Sequence, residues 1–440
     1  MERKTCDVVI VGCGIGGMCA AAKLAHAGFK TVMLEKSPVL GGRYTYTDYK
    51  GYWITTGAWF IAYGENSPQW LTLQEVGAPE LEVQTIQRLT YRINGKNYDT
   101  WLDKGGGLKL IVSAASENET EAGRVMAALR RVLKWQEPSD TISFRDWLLQ
   151  YTTNEKVHSI FQTMATGWSG INTHEYPAGE FVRSLRRGAI LSGFLVPKNG
   201  VKDVVDALEK VIKDHRGEIL SKARVSEIVV KGGVATGVLA ETNGEMIEVE
   251  SRIVISNVGP VNTIELAKEE NFDKGYLKEV RERVRPGVGT HYNFISDEPL
   301  LDFKGLLYTC DTRRTQAWMD MTKIWPHWAP EGKHLTCGYA VPESTLLYDP
   351  RKEYEIFLQD VKDLFPHFEE CGGQILSMGH FCGNWPLTRS WQGLMMGPKT
   401  SIENLYNIGD AISPPGYICG DGAGESGRRV AEEIIANLKP

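Results

Sequence analysis

The sequence has no Cys-x-x-Cys pair, no His-Glu-x-x-His spacing and no excess of positive charge. Its eight cysteines are scattered, which reads as reduced thiols in a reducing compartment rather than a disulfide framework. The missing metal spacing leaves no metal site to expect. Lys and Arg number 49 against 55 Asp and Glu, a formal net charge of −6; general nucleic-acid binding needs a basic surface and is excluded. The apolar run between Asp7 and Lys23 falls short of the roughly 20 residues of a bilayer span. It carries Gly12, Gly14, Gly16 and Gly17, which also suit a signal helix poorly. The expectation is a cytoplasmic chain. There is no internal repeat and no low-complexity tract. With 42% apolar and 24% charged residues, disorder, collagen-like structure and coiled coil are excluded.

The chain has 440 residues, enough for two domains or one large domain with an insertion. Glycine is abundant at 46 residues, about 10% against an average near 7%. The informative glycines sit near the two ends. Asp7–Val11 is a short β-rich apolar run, followed by Gly12-Cys13-Gly14-Ile15-Gly16-Gly17 and a helical pattern through Met18, Ala21, Ala22, Leu24 and Ala25. Gly28 stands where a helix ends, and a second strand, Thr31–Leu34, leads to Glu35. Strand, glycine turn, helix, strand, acid is a βαβ dinucleotide fingerprint. Gly12 permits the tight turn, Gly14 lets the backbone approach a pyrophosphate, and Gly17 lets helix and strand pack closely. The helix N-terminus offers free N–H groups to phosphate. Glu35 accepts from adenosine ribose hydroxyls. Shortly beyond it, Gly41-Gly42 lets the backbone pass close to a bulky ligand, and Arg43 suits phosphate.

At the other end, Leu405–Ile408 reads as a buried strand ended by Gly409-Asp410, at the carboxyl edge where open α/β sheets bind ligands. A Pro- and Gly-rich loop through Gly416-Tyr417-Ile418 precedes a final helix with Val430, Ile434 and Leu438 on one stripe. In the middle, Val201, Val204, Val205, Leu208, Val211 and Ile212 predict an amphipathic helix. Strands are predicted at Arg224–Val230, Val234–Glu241 and Glu245–Val249, with glycine turns between them, and a separate buried strand at Ile253–Ser256 before Asn257. Residues 121–194 read as mostly helical and 286–345 as strand-rich.

The fingerprint, Glu35, Gly41-Gly42-Arg43 and the Gly409-Asp410 segment resemble the phytoene desaturase–flavin amine oxidase superfamily of FAD enzymes. The likeness is closer to the phytoene-desaturase-related branch, echoed at Val196-Pro197-Lys198-Asn199-Gly200 and Ala329-Pro330-Glu331-Gly332-Lys333-His334. The resemblance implies an α/β fold: a Rossmann-like FAD-binding domain with a parallel sheet, a βαβ unit and a β-meander, beside a mixed α+β substrate domain. It implies a discontinuous FAD domain over 1–75, 195–260 and 400–440, and a partly helical substrate domain over 76–194 and 261–399. It implies FAD with Glu35 on the adenosine ribose, Arg43 near the pyrophosphate, Asp410 on the ribityl–pyrophosphate part and the Val225 backbone at the adenine. Ile15, Lys36, Asn257, Gly416, Tyr417 and Ile418 complete the expected contacts.

FAD carries hydride chemistry itself, so no acid–base pair need show. The substrate-facing candidates are Tyr417, Trp385 and Trp391, against the plainer reading of packed core aromatics. His174 and His291 are lone histidines, read as core or surface residues. The implied activity is hydride transfer at carbon of a lipophilic or conjugated molecule, as desaturase or dehydrogenase or in the reverse, saturating or isomerising sense. The alternatives are an amine oxidase releasing hydrogen peroxide and a non-catalytic FAD-binding protein. The substrate is read as apolar or aromatic, with oxygen, a quinone or a redox protein as electron partner and homo-oligomerisation left open. A peripheral membrane contact through Phe181-Val182, Leu185, Ile190-Leu191 and Phe194, with Arg183, Arg186 and Arg187 on anionic lipid, is set against an ordinary surface helix, which is preferred.

Overall fold

The computed structural model describes residues 2–104, 107–188 and 193–440, without the side chains of 315 and 316. Ile190 and Leu191 lie outside the described residues.

The fingerprint folds as the sequence requires. Strand β1 (Glu2–Val11) leads into helix α1 (Ile15–His26), which returns to strand β2 (Thr31–Glu35). β1 pairs in parallel with β2 on one side and with strand Glu245–Ser256 on the other. A strand covered on both faces reads as a continuous apolar run rather than an alternating one, and Val8, Val9 and Ile10 are fully buried. Strand Glu218–Ser221 extends the sheet beyond β2. Strand Leu405–Asn407 pairs in parallel with the end of Glu245–Ser256. The sheet therefore takes strands from the start, the middle and the end of the chain.

The meander is present as Ala223–Lys231, Val234–Thr242 and Glu245–Ser256. One correction follows. Glu245–Val249 and Ile253–Ser256 are not two strands but one of 12 residues. Its first eight residues have an open face and carry Glu248, Glu250 and Arg252, while its last four are buried. The change from one open face to full burial looks like a break in the sequence pattern.

The second large sheet is mostly antiparallel. Its order is Gln374–Phe381, Gly289–Ser296, His334–Ala340, Thr315–Asp320, Leu306–Thr309, Arg88–Ile93 and Lys96–Trp101. The last two form a hairpin at Asn94-Gly95 that the sequence reading did not anticipate, although Asn-Gly is a strong turn signal. Helices Glu119–Lys134, Phe144–Leu149, Glu155–Ser169 and Ala178–Gly188 cover this region. Strand Phe194–Pro197 follows them and pairs with Val83–Ile86.

Helix α1 crosses the final helix, Cys419–Asn437, at glycines. A Cβ on Gly427 would lie 2.1 Å from the Gly16 carbonyl oxygen. Gly427→Ala is expected to destabilise the protein by about 3 kcal/mol through overpacking against backbone. Thermal unfolding checks this; an unchanged midpoint would contradict the crossing.

The helix Ala178–Gly188 carries most of the residues weighed for a lipid contact. Arg183 pairs with Glu137, Asp140 and Glu180. Arg186 pairs with Glu137 and donates to the Leu133 and Val132 carbonyls. Arg187 lies over the Tyr417 ring, 3.4 Å from its centroid. Phe181, Val182 and Leu185 are buried, so both faces of this helix are already engaged within the protein. Among the described residues no helix is long and apolar enough to cross a membrane.

Candidate active site

A cleft of about 710 Å³ runs from the fingerprint turn to the second large sheet. Its first part is built by the ends of parallel strands. Gly12 turns with φ of +93° after β1, and Gly14 caps α1 without any side chain taking the helix N–H groups. These N–H groups open toward the cleft, where an anion is favoured. Gly17 does not line the cleft; a Cβ there would sit 2.5 Å from the Gly12 carbonyl, so its role is the close helix–strand contact. Asn257 ends the long meander strand and donates to the Gly12 and Gly14 carbonyls at 3.2 and 3.3 Å, tying the turn in place.

Glu35 ends β2, is 9% exposed, and lines the cleft. Its carboxylate accepts from the backbone N–H groups of Cys13, at 2.9 Å, and Ser37, at 2.8 Å. Two charge-assisted bonds hold it at the strand end. Lys36 and Val225 line the cleft beside it. The ladder slips between Val225 and Glu227, and such a bulge re-aims the backbone beside a site. At Gly42, φ is +59° and an added Cβ would meet nothing nearer than the Gly14 Cα at 3.8 Å. The room belongs to the cleft.

Arg43 and Asp410 were assigned to different parts of a ligand by the sequence. The structure pairs them at 2.8 Å. Arg43 also donates to the Pro386 and Leu387 carbonyls, and Asp410 accepts from the Arg389 backbone N–H. Arg389 lines the cleft, and among the described residues its guanidinium makes no ion pair. Burial first, and then the Arg43 charge, hold its pKa down, while Asp410 opposes them. A partly desolvated guanidinium without a partner is suited to an incoming phosphate. The sequence reading passed over it because its loop carries no motif.

Beyond Gly409 and Asp410 the cleft becomes a chamber. Trp59, Phe60, Tyr63, Trp168, Phe194 and Phe381 wall it, with Phe60 stacked on Phe194 at 4.3 Å between centroids. Trp385, a substrate-facing candidate, and Ile418, expected at the cofactor, both line the cavity, whereas Trp391, Gly416 and Tyr417 do not. The Gly416 N–H is held by the buried Glu180 carboxylate at 2.7 Å. The Tyr417 ring packs between Arg187 and Tyr63, and Tyr63 is the one of the two that reaches the chamber. His291, a lone histidine in the sequence, is 3% exposed and lines the chamber.

Asp421 lines the cleft in the first turn of the final helix and is 3% exposed. Its Oδ1 has no hydrogen-bond partner among the described residues. Burial pushes its carboxyl from 3.8 up to about 6. Because the folded pKa lies above the unfolded one, this carboxyl favours folding fully below about pH 4 and loses that contribution as pH rises through about 6. Asp421→Asn is therefore expected to raise the thermal midpoint near pH 8, by about 3 kcal/mol of stability, and to leave it unchanged near pH 4. Equal effects at both pH values would contradict the assignment.

An open α/β sheet with a βαβ glycine turn, an acid at the second strand end and a chamber beyond the pyrophosphate region defines a dinucleotide-dependent oxidoreductase. Residues 15–435 match the model of the family described as flavin containing amine oxidoreductase. The chain belongs to that family, and FAD is its cofactor. An uncharacterised protein of Methanocaldococcus jannaschii is 27% identical over 433 residues, 98% of this chain and 97% of that one. The phytoene desaturase of Neurospora crassa is 25% identical over 63% of this chain and 52% of its own length. The crystal structure of an oxidoreductase from Methanosarcina mazei matches with a TM-score of 0.87 and 26% identity, covering 97% of this chain and 100% of that one. The residues in place fit FAD: an uncapped helix N-terminus, an open glycine pair, an unpaired guanidinium and an anchored carboxylate lie along one cleft.

Proposed function

We propose that this oxidoreductase moves a hydride to or from carbon of a lipophilic or conjugated small molecule, as a desaturase or dehydrogenase or in the reverse, saturating or isomerising direction. The observation that carries the reading is the chamber: its walls are aromatic and aliphatic, and the residues lining it from the second sheet include no carboxylate. An apolar substrate gains from such burial. The relation to a phytoene desaturase supports it. Bound FAD supplies the hydride acceptor or donor. This chain's residues do the rest: Glu35 takes the adenosine ribose, Arg389 and the α1 N-terminus meet the pyrophosphate, and Trp59, Phe60 and Phe194 exclude water from the reacting carbon. A quinone or a redox protein serves as electron partner in this reading.

Amine oxidation is the second reading, favoured by the family's description. The test is anaerobic reduction of the purified flavoprotein followed by exposure to oxygen. Slow reoxidation supports the first reading; fast reoxidation with stoichiometric hydrogen peroxide favours the second. A protein that neither holds nor takes up FAD would overturn both.

A further inference from the structure

The strand register of the second large sheet lines up one row of side chains beneath the chamber. His291 pairs with Tyr339, Tyr339 with Ala317, and Ala317 with Tyr308. Directly opposed residues on neighbouring strands project to the same face, with Cβ atoms about 5 Å apart. All four line the chamber. Three of the four, His291, Tyr339 and Tyr308, carry polar groups.

Its two ends differ. The Tyr308 hydroxyl already accepts from the Trp168 indole N–H at 3.1 Å. At the other end, the His291 Nε2 is buried with no partner, and the Tyr339 hydroxyl makes no hydrogen bond among the described residues. Buried polar atoms are normally paired. One buried unpaired nitrogen, with a half-buried and unbonded phenol on the neighbouring strand, marks a place where a ligand completes the bonding. Burial lowers the imidazole pKa to about 3, so the ring is neutral, with one nitrogen that donates and one that accepts. A phenol hydroxyl likewise does both.

We propose that His291 and Tyr339 together bind a single uncharged oxygen function, a hydroxyl or a carbonyl, on an otherwise apolar substrate. The proposal rests on the reading of this chamber as the substrate site of a flavoenzyme, and it narrows that substrate. An ammonium group finds no carboxylate on this floor, and a pure hydrocarbon leaves both polar groups unpaired. Ala317, the small residue next in the row, leaves a notch for the apolar body.

The experiment uses the flavin-loaded protein and three probes: naphthol, naphthalene, and naphthylmethylamine in its ammonium form. Binding is read from the perturbation of flavin absorbance. The parent is expected to bind naphthol about tenfold more tightly than either of the others, the worth of one or two buried hydrogen bonds. His291→Leu and Tyr339→Phe each remove this preference while flavin content and naphthalene affinity stay as in the parent. His291→Gln, which keeps a donor and an acceptor, restores part of it. The proposal is overturned if His291→Leu keeps the naphthol preference, if the variants weaken all three probes equally, if the ammonium probe binds best, or if the loaded protein binds no probe. A protein that takes up no FAD overturns the flavoenzyme reading as well, and that is measured before any probe is added.

Discussion

Glu35→Ala protein is expected to purify with most of its FAD lost, with affinity lowered on the order of a hundredfold. The carboxylate stands at the end of β2 and holds two backbone N–H groups while lining the cleft. In the proposed cofactor site, removing it takes away charge-assisted bonds to the ribose, and it leaves the Cys13 and Ser37 N–H groups without their acceptor. The first loss would weaken binding; the second would loosen the glycine turn. Glu35→Gln keeps the shape and one acceptor oxygen, so an intermediate loss is expected. Flavin fluorescence released on dilution gives the dissociation constant. A Glu35→Ala protein with full occupancy and unchanged affinity would remove this residue from the cofactor site.

The second large effect lies in the Arg43–Asp410 pair. Asp410 is nearly buried and Arg43 is three-quarters so. Breaking such a pair by removing one partner leaves an uncompensated charge and costs about 3 kcal/mol or more. Arg43→Ala and Asp410→Ala should each lower the thermal midpoint and shed flavin. The double substitution should cost well under the sum of the two, because the second removal relieves the charge stranded by the first. Strict additivity would show that the pair does not act as a unit.

The cofactor end of the cleft is legible in the sequence because its constraints are local. Gly12, Gly14 and Glu35 lie within one βαβ unit, and each is there for a backbone angle, a close approach or a strand end. The chamber is a different case. His291, Tyr339, Ala317 and Tyr308 meet only through antiparallel register, and no spacing along the chain announces that row. Arg389 stands on an irregular segment without a motif. Tyr417 is the opposite case: it was a substrate-facing candidate, but Arg187 from a distant helix covers its ring. The Asn94-Gly95 hairpin was a local signal that went unused.

In the first sheet, strand Leu405–Asn407 pairs with the buried end of Glu245–Ser256, and Asp410 stands just beyond it after Ile408 and Gly409. The fingerprint and its Arg43 therefore depend on a segment more than 350 residues away for their counter-charge, so a fragment that stops before residue 405 would keep the glycine turn but lack both Asp410 and the strand beside the buried end of Glu245–Ser256.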